Sequence, residues 1–288
     1  MIDIHTHFYR PTVKDEPVFD ESELLTAMDR LEIERAVILP LVSPECQFGP
    51  VFNSEFALAA RDRHPDRFIP FCNLDPRNGF NSPETDFSWI LETYKARGAK
   101  GVGEITANLP FDDPRCNNFF THCGNASMPV LFHLAVGVQN GIYGLADELG
   151  LPRLERMLAA CPHTIFIGHA MAFWSEISGN NSEEVRGIYP TGPVAPGGKL
   201  LALMQRYPNL YGDISAGSGF NAISRDPSFG FSFLEMFQDR LLFGTDLCHV
   251  KQEEPITGYL RNARDEGHIS ENAFAKITEG NAKKLLGV

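Results

Sequence analysis

No stretch of this chain gathers lysine and arginine into a basic run, and the formal net charge is −12. Binding along a nucleic-acid backbone needs a concentrated positive face, so that class of partner is excluded. The acidity is read as a contribution to solubility. No C-x-x-C spacing occurs among Cys46, Cys72, Cys116, Cys123, Cys161 and Cys248. Disulfide frameworks belong to short secreted chains, so these six are expected to be free thiols in a reducing cytoplasm. No apolar run approaches the ~18–20 residues of a membrane span, and no signal peptide is expected ahead of the first motif. No Pro/Gly/Ser-rich linker divides the sequence, which points to one domain over residues 1–288.

What is present suits a packed enzyme-sized core: 288 residues, 43% hydrophobic and 22% charged. Eight short β-rich runs recur along the chain: Ile2–His7, Ala36–Pro40, Phe68–Leu74, Gly101–Ile105, Val130–Leu134, Thr164–Ala170, Leu210–Ile214 and Leu241–Asp246. Amphipathic stretches lie between them. Glu21–Leu31, for example, places Leu24, Leu25, Met28 and Leu31 on one helical face. Ser270 is a plausible N-cap for a last helix running through Leu286, with Gly287 after its end. This alternation predicts a single-domain α/β protein, a (β/α)8 or TIM barrel, with an open doubly wound sheet as the competing architecture. Three connections that follow strands are long: Phe8–Asp20, Ala135–Leu151 and Met171–Gly198. Each therefore falls on the C-terminal face, where barrel enzymes build their sites. The third is rich in proline and glycine and is expected to fold over the mouth as a lid (171–198) within the domain.

Asp3-Ile4-His5-Thr6-His7 is the strongest local signal. Residues i and i+2 of a strand share a face, so His5 and His7 both point into the barrel and can converge on one divalent ion. Four further groups sit at the ends of apolar strand candidates: Glu104, His133, His169 and Asp246. A charge or imidazole buried there is costly unless paired or ligated, and in a barrel these strand ends meet around one axis. Glu104 follows the small Gly103 and lies in the barrel phase set by Val102.

The order H-x-H, then Glu, His, His and Asp at later strand ends resembles the amidohydrolase superfamily. Within it the chain is similar to the amidohydrolase-related branch that includes aminocarboxymuconate-semialdehyde decarboxylase and related aromatic-acid decarboxylases. The likeness is carried by Ile2–His7, Phe166–His169 and Arg240–Asp246. It implies that His5, His7, His133 and Asp246 hold a divalent metal, with Zn²⁺ the first choice and one or two ions allowed. It also implies that Asp246 accepts the proton of the attacking water, and that His169 either polarises the substrate or binds a second ion. Glu104 departs from the decarboxylase-like pattern. It reads either as a further ligand or as a carboxylate hydrogen-bonded to a ligand histidine.

Other residues are weaker candidates. Arg10, Asn140, Asn221, Arg225 and His249 lie on loops of the C-terminal face, where they could contact a substrate carboxylate or hydroxyl. Phe8, Tyr9, Tyr143, Phe173, Trp174 and Phe220 could line a ring-sized pocket. His64, His122, His163, His268 and Arg240 read as structural. Two reactions fit: hydrolysis of a small amide, ester or lactone, towards which Glu104 leans, and non-oxidative decarboxylation of a small unsaturated or aromatic acid, towards which the branch likeness leans. A non-catalytic metal-binding protein is the third reading and would require a sealed mouth. The expected partner is a small molecule, with homo-oligomerisation left open.

Overall fold

The first strand, β1 (Ile2–Thr6), is buried along its whole length, and β2 (Arg35–Ile38) and β3 (Phe68–Pro70) pair beside it in parallel. These positions come from a computed structural model in which residues 1–9, 17–46, 52–138 and 142–288 are described. Arg10 and Asn140 lie outside the described residues. A second parallel run comprises β4 (Val102–Ile105), β5 (Val130–Ala135), β7 (Phe166–His169), β8 (Leu210–Asp213) and β9 (Leu241–Leu242). The two-residue β6 (Leu145–Ala146) attaches to the end of β5, off this path.

Backbone bonds join the two runs into a closed barrel. Cys72 N–H donates to Gly101 O at 3.0 Å and Gly103 N–H to Cys72 O at 2.9 Å, linking β3 to β4. Ile4 N–H donates to Phe243 O at 2.9 Å and Asp246 N–H to His5 O at 2.8 Å, linking the last strand to the first. With helices between successive strands, this is the (β/α)8 barrel expected from the alternation.

Side-chain alternation sorts the strands into two faces. Ile2, Ile4, Val37, Leu39, Ile69, Phe71, Leu131, Ile167 and Leu242 form one buried cluster, joined by Ala282 and Leu286 of the last helix. Two residues beyond Leu131 and Ile167 on the same face stand His133 and His169, paired in register. The other face carries Ala36, Ile38, Phe68, Val130, Phe132 and Phe166, which pack with helix residues such as Leu24, Met28, Leu91, Phe119 and Phe120. Each large apolar side chain buried this way contributes roughly 1.5–3 kcal/mol, enough to fix which face points inward.

Two strands break the simple alternation, and both breaks matter for the site. The register with β2 shifts between Asp3 and Thr6, so Ile4 remains among the barrel-filling residues while His5 and His7 also face the mouth. Val102 does not set the phase of Glu104 as expected. It packs with the helix-facing cluster, and a register shift between Val102 and Ile105 turns Glu104 inward. Gly103 makes this possible: its φ is +150°, and a Cβ there would lie 2.7 Å from Leu131 O.

Helix boundaries follow local chemistry. Asp20 caps Glu21–Leu31 by accepting Ser22 N–H and Glu23 N–H; Leu24, Ala27 and Met28 are its buried face, with Leu25 and Leu31 only partly covered. Ser270 accepts Ala273 N–H, and Gly287 ends the chain's last helix in the left-handed region. The helix between them is not continuous. It widens into a π-helical turn over Lys276–Gly280, where Ile277 O accepts Phe243 N–H at 3.0 Å. The last strand is correspondingly short, because from Phe243 the chain leaves β8 and turns through Asp246, at φ +59°.

Candidate metal centre

At the barrel mouth, imidazole and carboxylate atoms converge. His5 Nε2 and His7 Nε2 are 2.9 Å apart. Asp246 Oδ1 lies 3.4 Å from the first and 3.5 Å from the second. Glu104 Oε2 lies 3.8 Å from His5 Nε2 and 3.5 Å from His7 Nε2. Donors held ~2.0–2.2 Å from a tetrahedral ion stand roughly 3.3–3.6 Å from each other. The separations are close to such an edge length. The far nitrogen of each histidine is already engaged: His7 Nδ1 lies 2.9 Å from Leu39 O, and His5 Nδ1 2.6 Å from Asp213 Oδ2. Both Nε2 atoms are therefore directed at the common point, as cation ligands require.

A second group adjoins the first. Glu104 Oε1 lies 2.9 Å from His133 Nδ1, and ligand atoms of Glu104, His133 and His169 all fall within 4.8 Å of one another. Those of His5, His169 and Asp246 meet the same limit, with His169 Nε2 3.9 Å from Asp246 Oδ2. Glu104 therefore faces histidines with both oxygens. The sequence pairs His133 with His5, His7 and Asp246 through the resemblance; the structure places it on the far side of Glu104, beside His169.

The protonation pattern without a cation reflects this crowding. Burial pushes the Glu104 carboxyl up, but hydrogen bonds and charge from His133, His7 and His5 prevail and hold it well below the carboxylate range. Burial lowers His169, yet Asp213 and the nearby carboxylates raise it to about 9. Burial dominates at His133, whose pKa is lowered. Asp3 lies behind the cluster, where burial raises it to about 8 against hydrogen bonds from Thr245 and the His5 N–H. Its oxygens take Thr245 N–H at 3.1 Å and Thr245 O–H at 2.5 Å, tying the H-x-H strand to the Asp246 segment.

Above the cluster is a cavity of about 380 Å³, lined by His7, Phe8, Tyr9, Leu41, Cys46, Glu104, His133, Tyr143, Asp246, Cys248 and His249. Tyr143 leans on His133 with ring centroids 4.5 Å apart. His249 reaches the wall. Its Nδ1 accepts Lys251 N–H at 3.1 Å. His5 and His169 do not line the cavity; they lie beneath it.

Three residues expected at the substrate do not reach the cavity wall. Trp174 is core: its Nε1–H donates to Asp213 O at 2.9 Å, and its ring packs edge-on against Phe173 and Phe233. Asn221, within the helix Ala216–Ser224, donates to Pro190 O at 3.1 Å. Arg225 caps that helix, half-buried, with its Nε lacking a hydrogen-bond partner among the described residues. Phe173 and Phe220 also pack away from the cavity, against Phe132 and Tyr259. Asp213 and Ser215, which contact both His5 and His169, are positions that the strand-end motifs do not single out. The available signal is that Asp213 ends its strand as His169 ends β7.

Comparison with known proteins fits this geometry. A sequence profile described as amidohydrolase matches residues 2–288. The chain belongs to the amidohydrolase family. A search of curated protein sequences returns no match. Among solved structures, this amidohydrolase is similar to a probable 2-pyrone-4,6-dicarboxylic acid hydrolase from Acinetobacter baumannii at 16% identity, with a TM-score of 0.59 and coverage of 100% of this chain and 99% of that one. It is similar to an uncharacterised TIM-barrel protein from Bordetella bronchiseptica at 17% identity and a TM-score of 0.64, covering 100% and 99%. It is also similar to 2,6-dihydroxybenzoate decarboxylase from Rhizobium at 17% identity and a TM-score of 0.62, covering 99% and 98%. At such identities the likeness speaks to the fold. Family membership makes the chain an enzyme.

Proposed function

We propose that this amidohydrolase hydrolyses a small-molecule amide, ester or lactone, with two divalent cations, most simply Zn²⁺, held on either side of Glu104. The observation that carries the reading is the two-sided carboxylate: Oε2 faces His5 and His7, Oε1 faces His133. The donor set fits cations of this kind, being nitrogen and carboxylate oxygen at ligand-like separations. His5, His7, Glu104 and Asp246 would hold one ion, and Glu104, His133 and His169 the other. When bound, divalent cations supply Lewis acidity and acidify water.

The remaining chemistry belongs to the side chains. Asp246 is the most exposed of the acidic donors, at 26% of its side chain against 5% for Glu104. It opens onto the cavity, where it can accept a proton from an attacking water and return it to the leaving group. His169 lies beneath the cavity, a place that suits a ligand better than a group contacting substrate. Phe8, Tyr9, Leu41 and Tyr143 give the cavity apolar walls sized for a single-ring substrate. Six free cysteines suit a reducing compartment such as the cytoplasm, and no described helix is long and apolar enough to cross a membrane.

The test is a parallel screen of the cation-loaded enzyme. Small lactones, esters and N-acyl compounds are assayed for ring opening or acid and amine release, and small aromatic and unsaturated acids for carbon dioxide. Turnover in the first set supports the proposal. Turnover confined to the second makes the enzyme a decarboxylase.

A further inference from the structure

Beneath the ligand cluster one carboxylate meets two imidazoles. Asp213 ends β8 with no solvent exposure. Its Oδ2 lies 2.6 Å from His5 Nδ1, 3.1 Å from His169 Nδ1 and 2.9 Å from Ser215 Oγ. Its Oδ1 accepts Ser215 N–H at 3.0 Å. We infer that Asp213 is a shared positioning residue: by accepting the Nδ1 protons of both His5 and His169, it fixes the tautomer and direction of two imidazoles on separate strands and leaves both Nε2 atoms to face cations. The cation half of this inference rests on the proposed function; the tautomer half does not.

The tautomer follows from donor and acceptor counting. A neutral imidazole carries one N–H, and the other nitrogen holds a lone pair. If His5 carried its proton on Nε2, its Nδ1 lone pair would face a carboxylate oxygen at 2.6 Å. With the proton on Nδ1, that contact becomes a charge-assisted hydrogen bond and Nε2 is free to ligate. The same holds at His169. Ser215 reinforces the pattern: its hydroxyl donates to Asp213, leaving oxygen lone pairs 3.1 Å from His169 Nδ1 and 3.3 Å from His5 Nδ1. The two rings lie 4.4 Å apart at 52°, close enough for a single oxygen to reach both. Space for the arrangement comes from Gly244, where a Cβ would stand 2.9 Å from both Asp213 Oδ1 and Ser215 Cβ. The Asp213 main chain is anchored by the Trp174 indole.

A carboxamide cannot replace the carboxylate. If its oxygen faces the imidazoles, its NH₂ meets the Ser215 N–H; if it is flipped, the NH₂ meets both Nδ1–H groups. Asp213→Asn should therefore disturb both histidines at once. Proton–nitrogen correlation spectra of the metal-free wild type are expected to show two exchange-protected Nδ1 protons, assigned to His5 and His169 by His→Gln substitution. Both should move or vanish in Asp213→Asn and persist in Ser215→Ala. Chelator competition should show Zn²⁺ affinity of Asp213→Asn reduced roughly 10–100-fold. Wild-type His5 or His169 rings that carry no Nδ1 proton would overturn the inference even if Asp213→Asn does not fold. So would a change confined to one ring in Asp213→Asn, or unchanged Zn²⁺ affinity. A wild type with both Nδ1 signals that binds no Zn²⁺ would instead contradict the proposed metal centre and leave the tautomer assignment standing.

Discussion

Glu104 presents one carboxylate oxygen to His133, 2.9 Å from its Nδ1, and the other to His7, 3.5 Å from its Nε2. A buried carboxylate between imidazoles is stabilised when positive charge reaches it, whether as protonated histidine or as a bound cation. Without a cation it has only the former. Glu104→Gln keeps the shape and removes the charge, so circular dichroism should be unchanged. Affinity for the ion between Glu104, His133 and His169 should fall by roughly 10–100-fold if the residue acts as a ligand or orients one. Isothermal titration with Zn²⁺ reads this; a variant that binds like the wild type would remove Glu104 from the centre.

His5→Ala and His7→Ala should each lower bound metal as well as activity. Asp246→Asn should act mainly on turnover, by roughly 10²–10⁴-fold, because the carboxamide keeps an oxygen donor but cannot take up a proton. Metal content and kcat measured on the same preparations separate the two effects. Full metal content in both histidine variants would contradict the ligand assignment.

The pH dependence of metal-free stability has a defined sign. His169 is raised to about 9 in the fold, so its contribution is fully present below the unfolded value near 6.5 and is lost as pH rises through about 9. Asp3 is raised to about 8; between pH ~4 and 8 the unfolded carboxyl ionises while the folded one stays protonated, which also lowers stability with rising pH. Tm of the metal-free protein should therefore fall from pH 6 to 9. Asp3→Asn should shallow the decline, and Zn²⁺ should remove the His169 part by occupying Nε2. A Tm that rises across this interval would contradict the protonation pattern.

Trp174 separates a packing role from a substrate role. Trp174→Phe leaves the buried Asp213 carbonyl without its indole donor, a loss of about 1–3 kcal/mol in denaturant unfolding. KM should change little, because Trp174 does not line the cavity. A large rise in KM with unaltered stability would restore it to the substrate.

Much of this architecture is legible in the sequence because two periodicities carry it. Apolar runs ending in Glu104, His133, His169 and Asp246 mark strands whose last residues must meet, and the spacing of His5 and His7 puts both on one face. Glu104 is reached for the wrong reason: Val102 faces the helices, so alternation from it would turn Glu104 outward, and only the register shift at Gly103 brings it inward; a register shift has no signature in residue spacing. Asp213 obeys the same strand-end rule. However, Leu210-Tyr211-Gly212 is too short and too mixed a run to make its acid stand out. Trp174, Asn221 and Arg225 lie on the correct end of the barrel, but direction within a loop or short helix is set by tertiary packing.

The connection after β7 is expected from its proline and glycine content to act as a lid. Its first part is firmly packed, with Phe173, Trp174 and Ile177 in the core. Hydrogen exchange with and without a tight inhibitor should therefore show constant protection over residues 171–177, with any ligand-induced protection confined to residues 182–197. Unchanged exchange throughout would make the segment a fixed wall.

The central claim, two cations sharing Glu104, is tested most directly by elemental analysis of freshly purified protein against its amino-acid content. Two divalent ions per chain are expected, falling to one or none in Glu104→Gln. One ion per chain in the wild type, unaltered by the substitution and by added Zn²⁺, would contradict it.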